Sequence, residues 1–268
     1  MNTTKRKKKD SLPSSLYHYT SFEVLTKILP IDKEKSNSNL CFWFSNPLQT
    51  NDKKEIRFFE EYVFKNKTGQ KLKTEVEAIK EKIGSPFTLS LIHHKEETKT
   101  YPSCEIPMWK MYGNNFGGVR LRFDFHKLKK YFESNNCIEL KQCLYLTKTE
   151  MVETSRHLKK ANQDNPKDFV EKIYKEAVCY KTCDWEYENE WRLVKWSKDI
   201  EAIGFRLTDG RLYLPVTFPF ELLETIEIGP KADQEAIEGS LLLIKKKLQN
   251  ISDAHFEIKK SKLEIGYI

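Results

Sequence analysis

The chain has 268 residues, a formal net charge of +7, 39% apolar and 12% aromatic residues. That is too apolar for a disordered chain, and the length suits one large domain or two small ones. No uninterrupted apolar run approaches the roughly 20 residues of a membrane helix. The basic N-terminus has no apolar stretch behind it, so no secretory leader is expected and a cytoplasmic location is.

The charge is unevenly spread. Residues 1–10 hold Lys5, Arg6, Lys7, Lys8 and Lys9 against Asp10, and the rest of the chain has 41 basic and 38 acidic residues. The excess is therefore assigned to a flexible basic tail over 1–12. Such a tail can hold nucleic-acid phosphate non-specifically. Residues 13–268 are read as a single domain.

In chain order, Leu16–Thr20 (LYHYT) reads as a short aromatic strand. Thr20 and Glu23 have capping-box spacing for a helix through Phe22, Leu25, Ile28 and Leu29. Leu40–Ser45 is a second apolar strand, ended by Asn46-Pro47. Asp52 and Glu55 again have helix-start spacing, with Ile56, Phe59, Tyr62 and Val63 as the apolar stripe. An amphipathic helix through Leu72, Val76, Ile79 and Ile83 follows, then a buried strand at Pro86–Ile92.

Ile106–Gly113 reads as a short helix with Pro107 in its first turn and Gly113 at its end. Gly117–Phe125 alternates as a strand and leads into a mainly helical middle, clearest at Phe169–Ala177. Glu188–Trp196, Arg211–Pro215 and Ile226–Ile228 are further strands. Gly229-Pro230 precedes a helix that includes Leu241–Leu248, and Phe256–Ile258 suits a late edge strand. No regular βαβ alternation and no phosphate-loop or dinucleotide glycine pattern occurs. The pattern predicts an α+β fold with a mixed, mostly antiparallel sheet flanked by helices.

Cysteines stand at 41, 104, 137, 143, 179 and 183, with no CxxC pair. His93 and His94 are adjacent, and neighbours on a strand point to opposite faces. No structural metal is expected, and the thiols are read as reduced and mostly buried.

Four ordered patterns carry a resemblance. They are Tyr17-His18-Tyr19-Thr20-Ser21, then Ser45-Asn46-Pro47 leading to Asn51-Asp52-x-x-Glu55. Met108-Trp109-x-x-Tyr112-Gly113 and Tyr187-Glu188-x-Glu190-Trp191-Arg192 follow. Over residues 16–232 they resemble a large bacterial family catalogued as a domain of unknown function. Lys53 stands where relatives carry proline, and Leu89-Ser90-Leu91 where they often carry Cys-Phe-Ser. At the level of pattern, an early-strand His beside a Thr is also similar to ADP-ribosyltransferase folds. That similarity implies NAD as substrate, with His18 holding a ribose hydroxyl.

On the first strand, Leu16, His18 and Thr20 share one face and Tyr17 and Tyr19 the other. His18 is then either a core histidine with one hydrogen bond or a ligand-holding one. Glu190 and Arg192 share a face, giving either a surface ion pair worth about 0–1 kcal/mol or a cleft carboxylate oriented by the guanidinium. Cleavage of a nicotinamide–ribose bond develops oxocarbenium-like charge, which a carboxylate stabilises. His18 and Glu190 are the expected catalytic pair. His18, Tyr19, Thr20, Asn51, Trp109, Tyr112 and Arg192 are the expected cofactor-binding residues.

Each has a plainer role beside the functional one. Asp52 and Glu55 form a cap, and Trp109 with Tyr112 forms an apolar anchor. Gly113–Gly118 leaves backbone amides free, and Gly229-Pro230 could bind an anion at a helix start. The expected function is an intracellular bacterial NAD-using transferase of the ADP-ribosyl type, a toxin or antiphage effector. The alternatives are a non-catalytic nucleic-acid-binding module and a Mg²⁺-dependent nuclease-like enzyme using Asp52, Glu55 and Glu190.

Overall fold

The structure is a computed structural model that describes residues 12–31, 39–47, 74, 77–79, 81–94, 105–134, 137–161, 166–199, 202–205, 210–249 and 255–264. The basic segment 1–10 and the Asn51-Asp52-Glu55 loop lie outside the described residues.

The first half runs β1 (Ser15–Thr20), α1 (Phe22–Ile28), β2 (Leu40–Ser45), β3 (Ser85–Ile92), α2 (Glu105–Met111), β4 (Val119–Asp124) and α3 (Phe125–Ser134). Then come β5 (Ile138–Gln142), β6 (Leu144–Leu146), α4 (Lys148–Ala161), α5 (Pro166–Ala177), β7 (Tyr180–Thr182) and a 3-10 helix over Cys183–Glu188. The chain ends with β8 (Glu190–Ser197), β9 (Gly204–Phe205), β10 (Leu212–Phe218), β11 (Leu223–Ile228), α6 (Gln234–Gln249) and β12 (Glu257–Lys260). The stretch read as mainly helical also holds the strands β5, β6 and β7, and three smaller details differ from the sequence reading. Ser21 caps α1, accepting the Val24 N–H at 3.1 Å, while Thr20 is buried at the end of β1. Residues 183–188 wind into a 3-10 helix, so β8 starts at Glu190 rather than Glu188. Of the described cysteines only Cys143 and Cys179 are buried, while Cys137 and Cys183 are exposed.

Among the described residues ten strands form one mixed sheet, antiparallel except for the β11–β12 pair, and β6 and β7 form a small parallel one. This is an α+β fold. Its organising strand is β3. One edge of β3 pairs with β8 along its whole length, from Ser85↔Ser197 to Ile92↔Glu190. The other edge is divided. β1 pairs with it at Tyr17↔Ile92, and β2 at Ser45↔Thr88. Both run antiparallel to β3, but β1 meets it near its own start and then leaves toward β4–β11–β12, while β2, which pairs with β10–β9, joins it only at its last residue. The result is a fork in the sheet.

The two faces differ in composition because strand side chains alternate. One face carries Leu16, Phe42, Phe44, Leu91, Leu121, Phe123, Trp191, Leu193 and Phe218, the main apolar core, with α1, α3 and α6 packed against it. Phe42 touches both Phe123 and Phe218, at 6.0 and 4.8 Å between ring centroids, so the arms of the fork close over a shared aromatic centre. The opposite face carries two smaller clusters. One is Tyr19, Ile92, Met108, Trp109 and Phe116, and the other packs α5 on Val194.

Candidate functional site

Directly opposed residues of antiparallel strands project to the same face. Tyr17 opposes Ile92, and Ile92 opposes Glu190. Glu190 therefore shares a face with Tyr17, and His18 projects to the other. The expected catalytic pair is split across the sheet, and the two side chains do not line one cleft. This is the main departure from the sequence expectation, and it follows from register alone.

His18 sits in the fork. Its Nδ1 lies 3.1 Å from the Ser90 carbonyl oxygen, on the stretch of β3 between the pairings to β1 and β2. A carbonyl only accepts, so Nδ1 carries the hydrogen and Nε2 keeps a lone pair. The ring edge rests on Phe42, 5.6 Å between centroids. Burial lowers the pKa of the ring, against a smaller opposing contribution from the Ser90 bond, so the imidazole is neutral. The side chain is half-buried. A neutral imidazole fixed at one nitrogen presents the other as an acceptor for a hydroxyl or N–H.

Glu190 is 2% exposed and lies inside a closed ionic cluster. Arg192 Nε donates to its Oε1 at 2.8 Å, and Lys181 Nζ and Arg192 Nη2 donate to Oε2 at 2.8 and 3.1 Å. Lys181 also donates to Glu188 Oε2 at 2.5 Å, and the Tyr112 hydroxyl to Glu188 Oε1 at 2.6 Å. Arg192 Nη1 donates to the Val178 carbonyl. Burial works to raise the Glu190 pKa, but Arg192 and Lys181 outweigh it and hold the carboxyl at about 2. Among the described residues two carboxylates, Glu188 and Glu190, face two cations, Lys181 and Arg192, and their charges balance. Even the Glu190 main chain is engaged, its N–H by the Tyr145 oxygen at 2.7 Å and its carbonyl by the Cys143 N–H at 2.8 Å. The pairing of Glu190 with Arg192 is thus a buried ion pair, not a surface one.

On the same face, Arg120 is 9% exposed and central to a second cluster. It bridges Glu227 and Glu105, each at 2.9 Å, and donates to the Tyr19 hydroxyl oxygen at 3.1 Å. Tyr19 lies 2.7 Å from His94 Nε2. This bond engages Nε2 in either tautomer of His94, which leaves Nδ1 as the other ring nitrogen. That buried Nδ1 has no hydrogen-bond partner among the described residues. Burial, with the Arg120 charge and His93 adding to it, lowers the His94 pKa to about 3. Sequence reasoning did not single out Arg120 or His94. Arg120 lay in a strand read for its alternation, and His94 was weighed only as a metal ligand.

Trp109 is fully buried and meets Tyr19 edge to face at 5.0 Å, which makes it an anchor. Tyr112 instead remains 44% exposed with its hydroxyl turned inward to Glu188. Thr20 is buried, 7% exposed, at the close of β1. Gly118 is required there, because a Cβ would lie 2.2 Å from the Thr20 carbonyl oxygen. Among the described residues no group of three or more His, Cys, Asp or Glu is placed to hold a metal ion. No described helix is long and apolar enough to cross a membrane.

A family model described as "Protein of unknown function (DUF2971)" matches residues 108–193, from Met108 of α2 to Leu193 of β8. The match contains the Trp109 and Glu190 motifs, and it agrees with the resemblance to a domain-of-unknown-function family. No curated protein and no solved structure matches the chain.

Proposed function

We propose that the chain binds a nucleotide at the fork around His18 and acts on NAD as a transferase of the ADP-ribosyl type. The observation that carries this reading is the posture of His18. A neutral imidazole is anchored through Nδ1 to Ser90 where the strands part, with Nε2 left as an acceptor. Such a group suits a ribose hydroxyl better than a phosphate, which a neutral acceptor repels.

Glu190 has a different part in this proposal. A carboxylate that stabilises an oxocarbenium-like ribose must face the substrate. Both Glu190 oxygens are held by Arg192 and Lys181 on the opposite face. Glu190 is a positioning residue that fixes β8, and through β8 the strand β3 whose Ser90 carbonyl orients His18. The same closure engages both Glu190 oxygens, while Asp52 and Glu55, the other acids of the nuclease alternative, lie outside the described residues.

The test is NAD titration by calorimetry together with nicotinamide release in the presence of cell extract as acceptor source. Wild type should bind NAD and release nicotinamide. His18→Ala should weaken binding roughly tenfold, the loss of about one hydrogen bond in a partly dry site. Its stability should change by about 1 kcal/mol or less. Absence of NAD binding in wild type, or unaltered binding in His18→Ala, overturns the proposal.

A further inference from the structure

The aromatic surface outside the ionic cluster is a second feature, independent of the fork. In a 3-10 helix, residues three apart eclipse each other. Over Cys183–Glu188 this makes three rows of two residues, one of them Cys183 and Glu186. Trp185 and Glu188 form the inner row, for Lys181 Nζ lies 5.5 Å from the Trp185 ring and bonds Glu188. Asp184 and Tyr187 form an outer row, and both are exposed, as is Glu186 beside them.

The end of α2 lies against this row. The Tyr187 hydroxyl points to Met111 Sδ at 3.9 Å, and the Tyr187 and Trp185 rings are 6.1 Å apart. Met111, Tyr112 and Tyr187 are 45%, 44% and 37% exposed. Tyr112 spends its hydroxyl on buried Glu188, so what it shows to solvent is the ring. The surface therefore shows π faces, with the exposed acids Asp184 and Glu186 on the 3-10 helix that carries Tyr187 and the exposed cation Lys110 next to Met111 on α2. Rings beside carboxylates are the chemistry that receives Arg and Lys side chains. The inner row already does so with Lys181.

We propose that Met111, Tyr112, Tyr187 and the Asp184/Glu186 pair form a docking surface for an Arg- or Lys-bearing segment of a partner protein. Charge complementarity selects that occupant. The acids disfavour the phosphates of a nucleic acid, and π faces give a guanidinium or ammonium more than they give an anion. The chain as a whole is net positive, at +7. Its overall field repels a cationic peptide, so such a peptide binds only where local chemistry overrides that field.

The experiment uses the full chain and three fluorescent probes read by anisotropy at low ionic strength. They are an alternating Arg–Gly peptide, the matched Glu–Gly peptide and a single-stranded oligothymidine. The Arg–Gly peptide should bind. Tyr187→Ala and the pair Asp184→Asn/Glu186→Gln should each weaken it roughly tenfold, a loss of cation–π and charge contacts. All three side chains are exposed, so melting temperature should stay as in wild type. Glu133→Gln, an exposed acid on α3, should leave the affinity unchanged and so exclude a general charge effect. Failure of the wild type to bind the Arg–Gly peptide overturns the proposal. Equal affinity in the Tyr187 and acid variants does so too, as does oligothymidine binding that these variants abolish.

Discussion

Two charged clusters share one face of the sheet and solve the burial of arginine differently. Around Arg192, two cations meet two carboxylates, and each of those side chains is at most 8% exposed. Around Arg120, one cation meets two carboxylates, Glu105 and Glu227, whose side chains remain 25% and 17% exposed. The first is closed and neutral. The second carries excess negative charge, keeps partial contact with water, and reaches through Tyr19 to a histidine with one buried nitrogen unpaired. A buried ionic group is therefore no sign of chemistry by itself. What distinguishes a scaffold from a candidate site is whether any polar atom is left over.

That contrast can be broken experimentally, most severely at Glu190. Glu190→Gln leaves Arg192 and Lys181 with one carboxylate between them, and the loss should be about 3–5 kcal/mol in chemical denaturation. A small effect would mean that water reaches the cluster. Arg120→Met leaves two partly hydrated carboxylates instead of a dry charge, so its cost should be nearer 2 kcal/mol by the same measurement. If the order of the two variants reverses, the assignment of the closed and open clusters reverses with it.

Acid sharpens the comparison. The Glu190 pKa is lowered in the fold to about 2 from 4.5, so its contribution is complete above 4.5 and is lost as pH falls through that value toward 2. His94 is also depressed, to about 3 from 6.5, but for a histidine this means that the unfolded chain takes up the proton first. Its contribution is complete above 6.5 and is lost between 6.5 and about 3. His18, lowered in the same direction, adds to that loss. Stability measured between pH 6.5 and 5 should therefore fall in wild type and fall less steeply in His94→Asn. An identical slope in both would remove His94 from the account. The smallest effect on stability is expected for His18→Ala, where the readout is NAD affinity.

Much of the fold was legible in the sequence. The strands read at 16–20, 40–45, 86–92 and 226–228 stand in the structure within a residue or a few, because each is rich in apolar side chains that the sheet buries on one or both of its faces. The shared face of Glu190 and Arg192 was also correct, since side-chain period is local. The relation of His18 to Glu190 was not local. It depends on which residue of β3 meets each neighbour, and a shift of one position would have moved either side chain to the other face. Nothing in the composition of LYHYT or ENEWR encodes that partner. The Arg120 cluster was hidden for the same reason, since Glu105, Arg120 and Glu227 come from three separated elements. Neither sequence reading of Glu190, surface ion pair or cleft carboxylate, included its burial, because Lys181, its second side-chain partner, lies nine residues upstream on another strand.

One backbone feature has consequences for how the chain tolerates change. After α2, residues Asn114, Asn115 and Phe116 all have positive φ, at 49°, 49° and 71°. The carbonyls of Phe116 and Gly118 receive the N–H groups of Lys231 and Gly229. A Cβ on Gly118 would fall 2.2 Å from the Thr20 carbonyl oxygen, and one on Gly229 2.3 Å from that of Phe116. The ends of β1, α2 and β11 are thus stitched main chain to main chain, with no room for side chains between them. In a saturation scan the seam should appear as two intolerant columns, 118 and 229, where alanine already fails. Asn114 and Asn115, exposed in the same left-handed turn, should accept glycine and aspartate and reject β-branched residues.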